Sequence, residues 1–151
     1  MAKLTEEMMH EILAPIAAGQ DIAQAAYGIK QPNILYMLPF FALAIVPGVL
    51  MTQKLTKHYI VGLTSSHILV AEVAPKWSTL AVAVDSVKSA QAIALAGLRG
   101  KAVRGESGAI FTNIAFPHDS GQFTARFHRA FSRTNRPAAV AIGKAVVAAA
   151  G

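Results

Sequence analysis

The sequence predicts an α+β fold in which a helix and a long apolar segment precede an antiparallel sheet and a second helix. Three observations lead to this expectation. Between residues 57 and 129, short segments of alternating apolar and polar residues are separated by turn residues, as in antiparallel sheets. Residues 34–51 carry no charged side chain. Residues 135–150 are rich in alanine, the strongest helix former.

The first element is an amphipathic helix, which we predict over residues 5–18 with Thr5 as its N-cap. Pro15 is expected to kink the helix or end it early, and Gly19 is the latest stop. Packing on the protein's own domain is favoured over binding to a partner. The apolar face comprises Met8, Ile12, Leu13 and Ile16.

The second element is the apolar run, residues 34–51, which is the candidate membrane segment. Eighteen helical residues span about 27 Å, close to the ~30 Å hydrocarbon core of a bilayer. A single span is favoured over a re-entrant or interfacial helix and over a buried soluble core. The prolines keep those alternatives open, because each removes a backbone donor. The residues that characterise the segment are Ile34, Tyr36, Pro39, Phe40, Phe41, Pro47, Gly48 and Met51.

The third part is a series of short strands that ends in a helix. With a weak early strand at 21–28, the pattern predicts seven strands, separated by Pro75, the stretch 97–108 and the turn 117–121. Asn135 is expected to cap the last helix. The six strands after the apolar run are expected at 57–64, 67–73, 79–84, 87–95, 108–116 and 122–129.

Composition and charge point toward a membrane or a large partner. The chain is 54% hydrophobic and 15% charged, against about 25% charged in typical soluble domains. Charges sum to −2 before the apolar run and to +8 after it. If the run spans a bilayer, this Lys/Arg bias places the C-terminal part in the cytoplasm. Nucleic acid is a less favoured partner, because the cations are scattered and accompany no recognition motif.

Three segments resemble bacterial pleckstrin-homology-like domains: YIVGLTSSHILVAEV (59–73), AVAVDSVKSAQ (81–91) and FTARFHRAFSRTNRPAAVAI (123–142). The resemblance implies a seven-stranded antiparallel barrel capped by a C-terminal helix, and a binding or scaffolding role. The sequence departs from the family pattern by inserting the apolar run between the first two strands. We therefore divide the chain into an N-terminal helix and first strand (1–32), a transmembrane or re-entrant segment (33–53) and a pleckstrin-homology-like domain (54–151).

Three groups of cations are candidate contacts for anions or partners. For the cations in the glycine-rich loop and near the last strand, ordinary solvated charge is favoured over contact with a ligand. For the cations beside the apolar run, the two interpretations are equally favoured. In the predicted strand 122–129, Phe123 and Phe127 share one face, whereas Arg126 and His128 share the other. The first group lies beside the apolar run, the second in a glycine-rich loop and the third near the last strand: Lys54 and Lys57; Arg99, Lys101 and Arg104; Arg126, Arg129 and Arg133.

No catalytic, cofactor or metal motif is present in the sequence. There is no cysteine, and the histidines lack the spacing of a zinc helix. The expected function is therefore a non-catalytic, membrane-attached scaffold or accessory subunit. Its expected partners are membrane lipid and a protein partner or a second copy of the chain. The alternative is a soluble lipid- or peptide-binding module whose apolar run forms a ligand or oligomer surface.

Overall fold

The computed structural model describes residues 6–30, 56–77, 82–118, 121–128 and 134–151. Helix α1 spans Glu6–Leu13 and helix α2 spans Asn135–Ala150. The strands are β1 Gln24–Lys30, β2 Lys57–Leu63, β3 His67–Trp77, β4 Val82–Ala94, β5 Arg104–Ser107, β6 Phe111–His118 and β7 Gly121–His128. One 3-10 turn follows α1 at Ala14–Ile16, and another lies between β4 and β5 at Leu95–Leu98.

The seven strands form one antiparallel sheet in the order β4-β3-β2-β1-β7-β6-β5. Strand β1 pairs with β2 in continuous register from Gln24–Leu63 to Lys30–Lys57, so the weak early strand belongs to the sheet. The prediction of a closed barrel is wrong, because the sheet of the described residues does not close on itself. In the described part of the chain no ladder joins β4 to β5, and the sheet is open.

Two apolar cores lie on opposite faces of β1, β2 and β3. The inner core is covered by α2, and the outer core is covered by α1. Because both faces of these strands are buried, they are almost continuously apolar. The inner core contains Ala26, Val61, Ile68, Val70, Leu98, Ile114, Phe116, Phe123, Ala125, Phe127, Ala138, Ala139, Ile142 and Val146. The outer core contains Met9, Leu13, Ala17, Ala25, Tyr27, Ile60, Leu69, Ala71 and Val73.

Helix α1 packs on its own domain, as the sequence favours. Its most buried side chains are Met9 and Leu13, and Ala17 after the following turn is also buried, so the buried face is rotated slightly from the predicted one. Pro15 ends the α-helix early, in a 3-10 turn. Leu13 lies over Gly62 of β2, where an added Cβ would come within 2.5 Å of Leu13 Cδ1.

The number of strands is as predicted, but three of the predicted features are wrong. The segments 79–84 and 87–95 are not separate strands, because β4 is continuous and accommodates two register shifts against β3. Pro75 does not end β3 but lies at one of these shifts, where a missing backbone donor is tolerated. The loop 97–108 contains an unpredicted strand, β5.

Among the helices of the described residues, none is both long and apolar enough to cross a membrane. The apolar run, residues 34–51, lies outside the described residues. The predicted single span and its re-entrant and interfacial alternatives all concern that stretch.

Candidate anion-binding groove beside the apolar run

The apolar run is connected to the sheet at two neighbouring positions. Lys30 is the last residue of β1, Lys57 is the first residue of β2, and the two are register partners. Both side chains are exposed. Partners in an antiparallel ladder have Cα atoms about 5 Å apart. The 26 residues between them therefore leave the sheet and return to it at one place.

A groove of about 310 Å³ opens beside this place. Three cations line it, namely Lys30 from β1, Arg104 from β5 and Arg126 from β7. Asn113 and Thr124 add polar groups to the same lining. Three cations beside amide and hydroxyl groups match the chemistry of a phosphate or carboxylate ligand.

The alternation of β7 determines where Arg126 lies. Phe123 and Phe127 are buried in the inner core, so the intervening Arg126 is directed to the outer face and is exposed. This confirms the predicted division of β7 into an aromatic and a polar face. The guanidinium carbon of Arg126 lies 5.0 Å from the centre of the Phe111 ring, a cation–π contact that orients the charge.

Arg104 reaches the groove from an edge strand. It is the register partner of Ala115 on β6. Its Nε lies 4.0 Å from Glu106 Oε1, and both side chains are largely exposed. An exposed pair at that distance contributes little, so the charge of Arg104 is available to a ligand.

The side chain of Asn135 holds β1 in position beside the groove. Tyr27 N–H donates to Asn135 Oδ1 at 2.7 Å. Asn135 Nδ2 donates to the carbonyl oxygens of Tyr27 at 3.1 Å and His128 at 2.8 Å. The prediction that Asn135 caps α2 is wrong, because this fully buried amide instead bridges β1 and β7. These two strands share a single register pair, Ile29–Arg126.

Tyr27 and His58 form a buried polar pair beneath α1. The Tyr27 hydroxyl lies 2.5 Å from His58 Nδ1, and the two side chains are 1% and 4% exposed. Burial lowers the pKa of His58, and the nearby Lys88 lowers it further. Burial raises the pKa of Tyr27. Both shifts favour the neutral forms near pH 7, and the hydrogen bond links β1 to β2.

A second cavity of about 310 Å³ lies next to Lys30 and Lys57. Glu72 also lines it, so the cavity has mixed charge. Burial, followed by the repulsion of Glu72, raises the pKa of Tyr59 in the same lining. A mixed lining of this kind is less suited to an anion than the first groove.

The predicted contact residues are divided among different parts of the molecule. Arg104 and Arg126 meet in the groove, whereas Lys57 lines the second cavity. Lys101 lines a separate cavity along β4. Arg99 lies next to Gly100, whose N–H donates to the Ala150 carbonyl at the end of α2. The predicted contacts that fall outside the described residues are Lys54, Arg129 and Arg133.

Sequence reasoning did not single out Lys30, Asn113 and Thr124, which also line the groove. Lys30 lies shortly before the apolar run in the sequence, and the pairing of β1 within the sheet brings it to the groove. In the described ranges, no group of His, Asp or Glu side chains is suited to holding a metal ion.

No protein family, curated protein or solved structure matches this chain. The interpretation of the groove therefore depends on its own chemistry.

Proposed function

We propose that the protein is a non-catalytic, membrane-attached scaffold or accessory subunit. It presents a pleckstrin-homology-like domain to anionic lipid or to a protein partner. One observation carries the proposal. The uncharged apolar run 34–51 is connected to the sheet at Lys30 and Lys57, directly beside a groove with three cations.

The expected free energies of binding favour attachment to the membrane through both the apolar run and the groove. An uncharged run of this length partitions into hydrocarbon at about 0.8 kcal/mol for each buried CH₂ group. Each lysine or arginine near an anionic surface adds about 1 kcal/mol. Lys30, Arg104 and Arg126 therefore supply about 3 kcal/mol, which is enough to select anionic over neutral lipid.

The arrangement of elements supports the proposed domain type. Seven antiparallel strands followed by a helix over the inner core match the element order of pleckstrin-homology-like domains. Such a fold hosts lipid, peptide and protein binding alike, so the choice among these ligands depends on the groove. If the run crosses the bilayer, the Lys/Arg excess after it favours a cytoplasmic location for the domain.

Liposome flotation tests the proposal. We expect the protein to float with vesicles of mixed phosphatidylcholine and phosphatidylglycerol, and to remain bound at high salt because the apolar run is inserted. Replacing Lys30, Arg104 and Arg126 by Gln should weaken the preference for the anionic vesicles about 100-fold.

A matched variant controls for net charge. Arg99, Lys101 and Lys144 are also exposed but do not line the groove. Their replacement by Gln should leave the lipid preference within about threefold of the parent. Equal losses in the two triple variants would show that net charge, and not the groove, selects the lipid.

The exposed edge of the sheet favours the alternative function, a soluble lipid- or peptide-binding module. Among the strands that the structure describes, β4 pairs only with β3, and its residues from Ser86 to Ala92 are exposed. An extended peptide can add to such an edge. A protein that stays soluble and monomeric without detergent, and that does not float, would favour this alternative over membrane attachment.

A further inference from the structure

We infer that β1 and β2 lie on the same side of the bilayer, with the Lys30–Lys57 end of the sheet facing it. The protein is then attached from one side and does not cross. This inference depends on the proposed membrane attachment, and it specifies which surface of the domain meets the lipid. It differs from the single span that the sequence favours.

The pairing of β1 with β2 is the first step of the argument. The register is continuous over the whole of both strands, from Gln24–Leu63 to Lys30–Lys57. Both strands belong to the same sheet and contribute to the same two cores. They therefore cannot lie on opposite sides of a membrane while the fold is intact.

Strand β1 is firmly held in this sheet. Ala25, Ala26 and Tyr27 are at most 1% exposed. Asn135 binds both backbone groups of Tyr27, and the Tyr27 hydroxyl is hydrogen-bonded to His58. Withdrawing β1 to allow a crossing would leave these buried polar groups without partners and open both cores.

Chain length excludes a crossing that preserves the pairing. After a crossing by 34–51, the chain would have to return through a hydrocarbon core of about 30 Å. The six steps from Met51 to Lys57 reach about 21 Å when fully extended. The four steps from Lys30 to Ile34 reach about 14 Å. A returning stretch would also bring Lys54 and unpaired backbone groups into the hydrocarbon, which does not tolerate them.

The same geometry orients the domain. Both chain connections to the apolar run emerge at the Lys30–Lys57 end, and the groove with Arg104 and Arg126 opens beside it. Cations at this end complement anionic headgroups. Helix α1 packs on the outer core, so the N-terminal part stays on the same side as the domain.

Disulfide trapping tests the inference, because the sequence has no native cysteine. The variant with Lys30→Cys and Lys57→Cys places two thiols on register partners, whose Cα spacing suits a disulfide. We expect oxidation of the floated, vesicle-bound protein to produce an intramolecular disulfide, seen as a gel shift that reductant reverses. Lys30→Cys with Lys144→Cys, on β1 and α2, is the control pair and should not cross-link.

Labelling of single cysteines provides an independent measurement if the double variant fails to fold. Asp21→Cys and Ser107→Cys are exposed sites before and after the apolar run. A membrane-impermeant maleimide should label both from the same side of sealed vesicles. Labelling from opposite sides, with no disulfide in floated protein, would overturn the inference and leave membrane attachment intact. Failure to float would instead overturn the proposed function.

Discussion

A single side-chain amide replaces several missing ladder partners between β1 and β7. These strands share one register pair, and Asn135 supplies three hydrogen bonds where they separate. The site needs two donors and one acceptor within one planar group, and asparagine provides them. No other residue of similar size meets this requirement, so the position is chemically demanding.

Replacing Asn135 by Ala should lower the free energy of unfolding by about 3 kcal/mol, because buried backbone groups lose their partners. Asn135→Asp keeps an acceptor but cannot donate to the carbonyl oxygens of Tyr27 and His128, so it should be at least as destabilising at pH 7. Denaturant unfolding in mild detergent measures both effects. Gln122→Ala, at an exposed position on β7, should change stability by less than about 0.5 kcal/mol.

The buried His58 should make stability depend on pH. Its pKa lies below the ordinary value of 6.5 because of burial and Lys88. His58 of the unfolded chain therefore binds a proton near pH 6.5, whereas His58 of the folded protein binds one only at lower pH. Stability from this group is fully present above that pH and is lost as the pH falls through the folded pKa.

The measurement is the denaturation midpoint at a series of pH values from 7.5 down to 5. The parent should lose stability below about pH 6.5, and His58→Gln should lose less over the same range. Lys88→Met removes one of the two causes of the lowered pKa of His58 and should reduce the dependence of stability on pH in part. A slope that His58→Gln leaves unchanged would assign the effect to another group.

At the scale of elements, two glycines allow β5 and α2 to meet. A Cβ added at Gly105 would collide with the backbone of Gly143, whereas a Cβ added at Gly143 would lie 3.3 Å from Gly105 Cα. Backbone atoms cannot move aside as a flexible side chain can. The edge strand β5 therefore depends on this contact for its attachment to the helix.

Gly105→Ala should destabilise the protein by about 2 kcal/mol, through overpacking against a rigid helix. Gly143→Ala should have a much smaller effect, since the gain in helix propensity offsets the close contact. Thermal unfolding can compare the two. Gly97→Ala, which meets no atom within 4 Å, is the control, and destabilisation equal to that of Gly105→Ala would refute the packing explanation.

Strands with simple alternation were predictable, whereas irregular ones were not. The pattern KHYIVGL gave β2 closely. Strand β4 looked like two strands, because its register shifts bring polar residues where alternation requires apolar ones. Strand β5 was missed, since the glycines around it are typical of loops and its pairing with β6 is a tertiary contact.

The groove was only partly predictable for a similar reason. Arg104 was identifiable as a cation of a predicted loop, and Arg126 as a cation of a predicted strand. Their meeting depends on the order β7-β6-β5, which periodicity does not specify. Lys30 belongs to the same groove because β1 lies next to β7, across the connection made by Asn135.

At the scale of the whole molecule, the apolar run should be dispensable for folding. The backbone groups of Tyr27 point away from β2 toward Asn135. Alternation of pair types along the ladder then makes Lys30–Lys57 a hydrogen-bonded pair. A two-residue type I′ turn closes a pair of this kind.

We therefore predict that replacing residues 31–56 by Asn-Gly yields a folded protein that is soluble without detergent and no longer floats. Circular dichroism and thermal unfolding should show a cooperative sheet-rich domain. The matched control replaces the same residues by Ala-Ala, which disfavours the positive φ angles of the turn and should be less stable. An unfolded or aggregated Asn-Gly variant would show that the domain needs the run.

The bridge between Tyr27 and Asn135 joins positions 108 residues apart, and this separation has a consequence for biogenesis. During synthesis β1 leaves the ribosome early, but the amide that holds it is among the last groups to emerge. Strands β2, β3 and β4 are close in sequence and can pair first, because short loops close at low entropic cost. If the proposed membrane attachment holds, the apolar run meets the membrane before the domain is complete, and the sheet is finished on a chain that is already tethered.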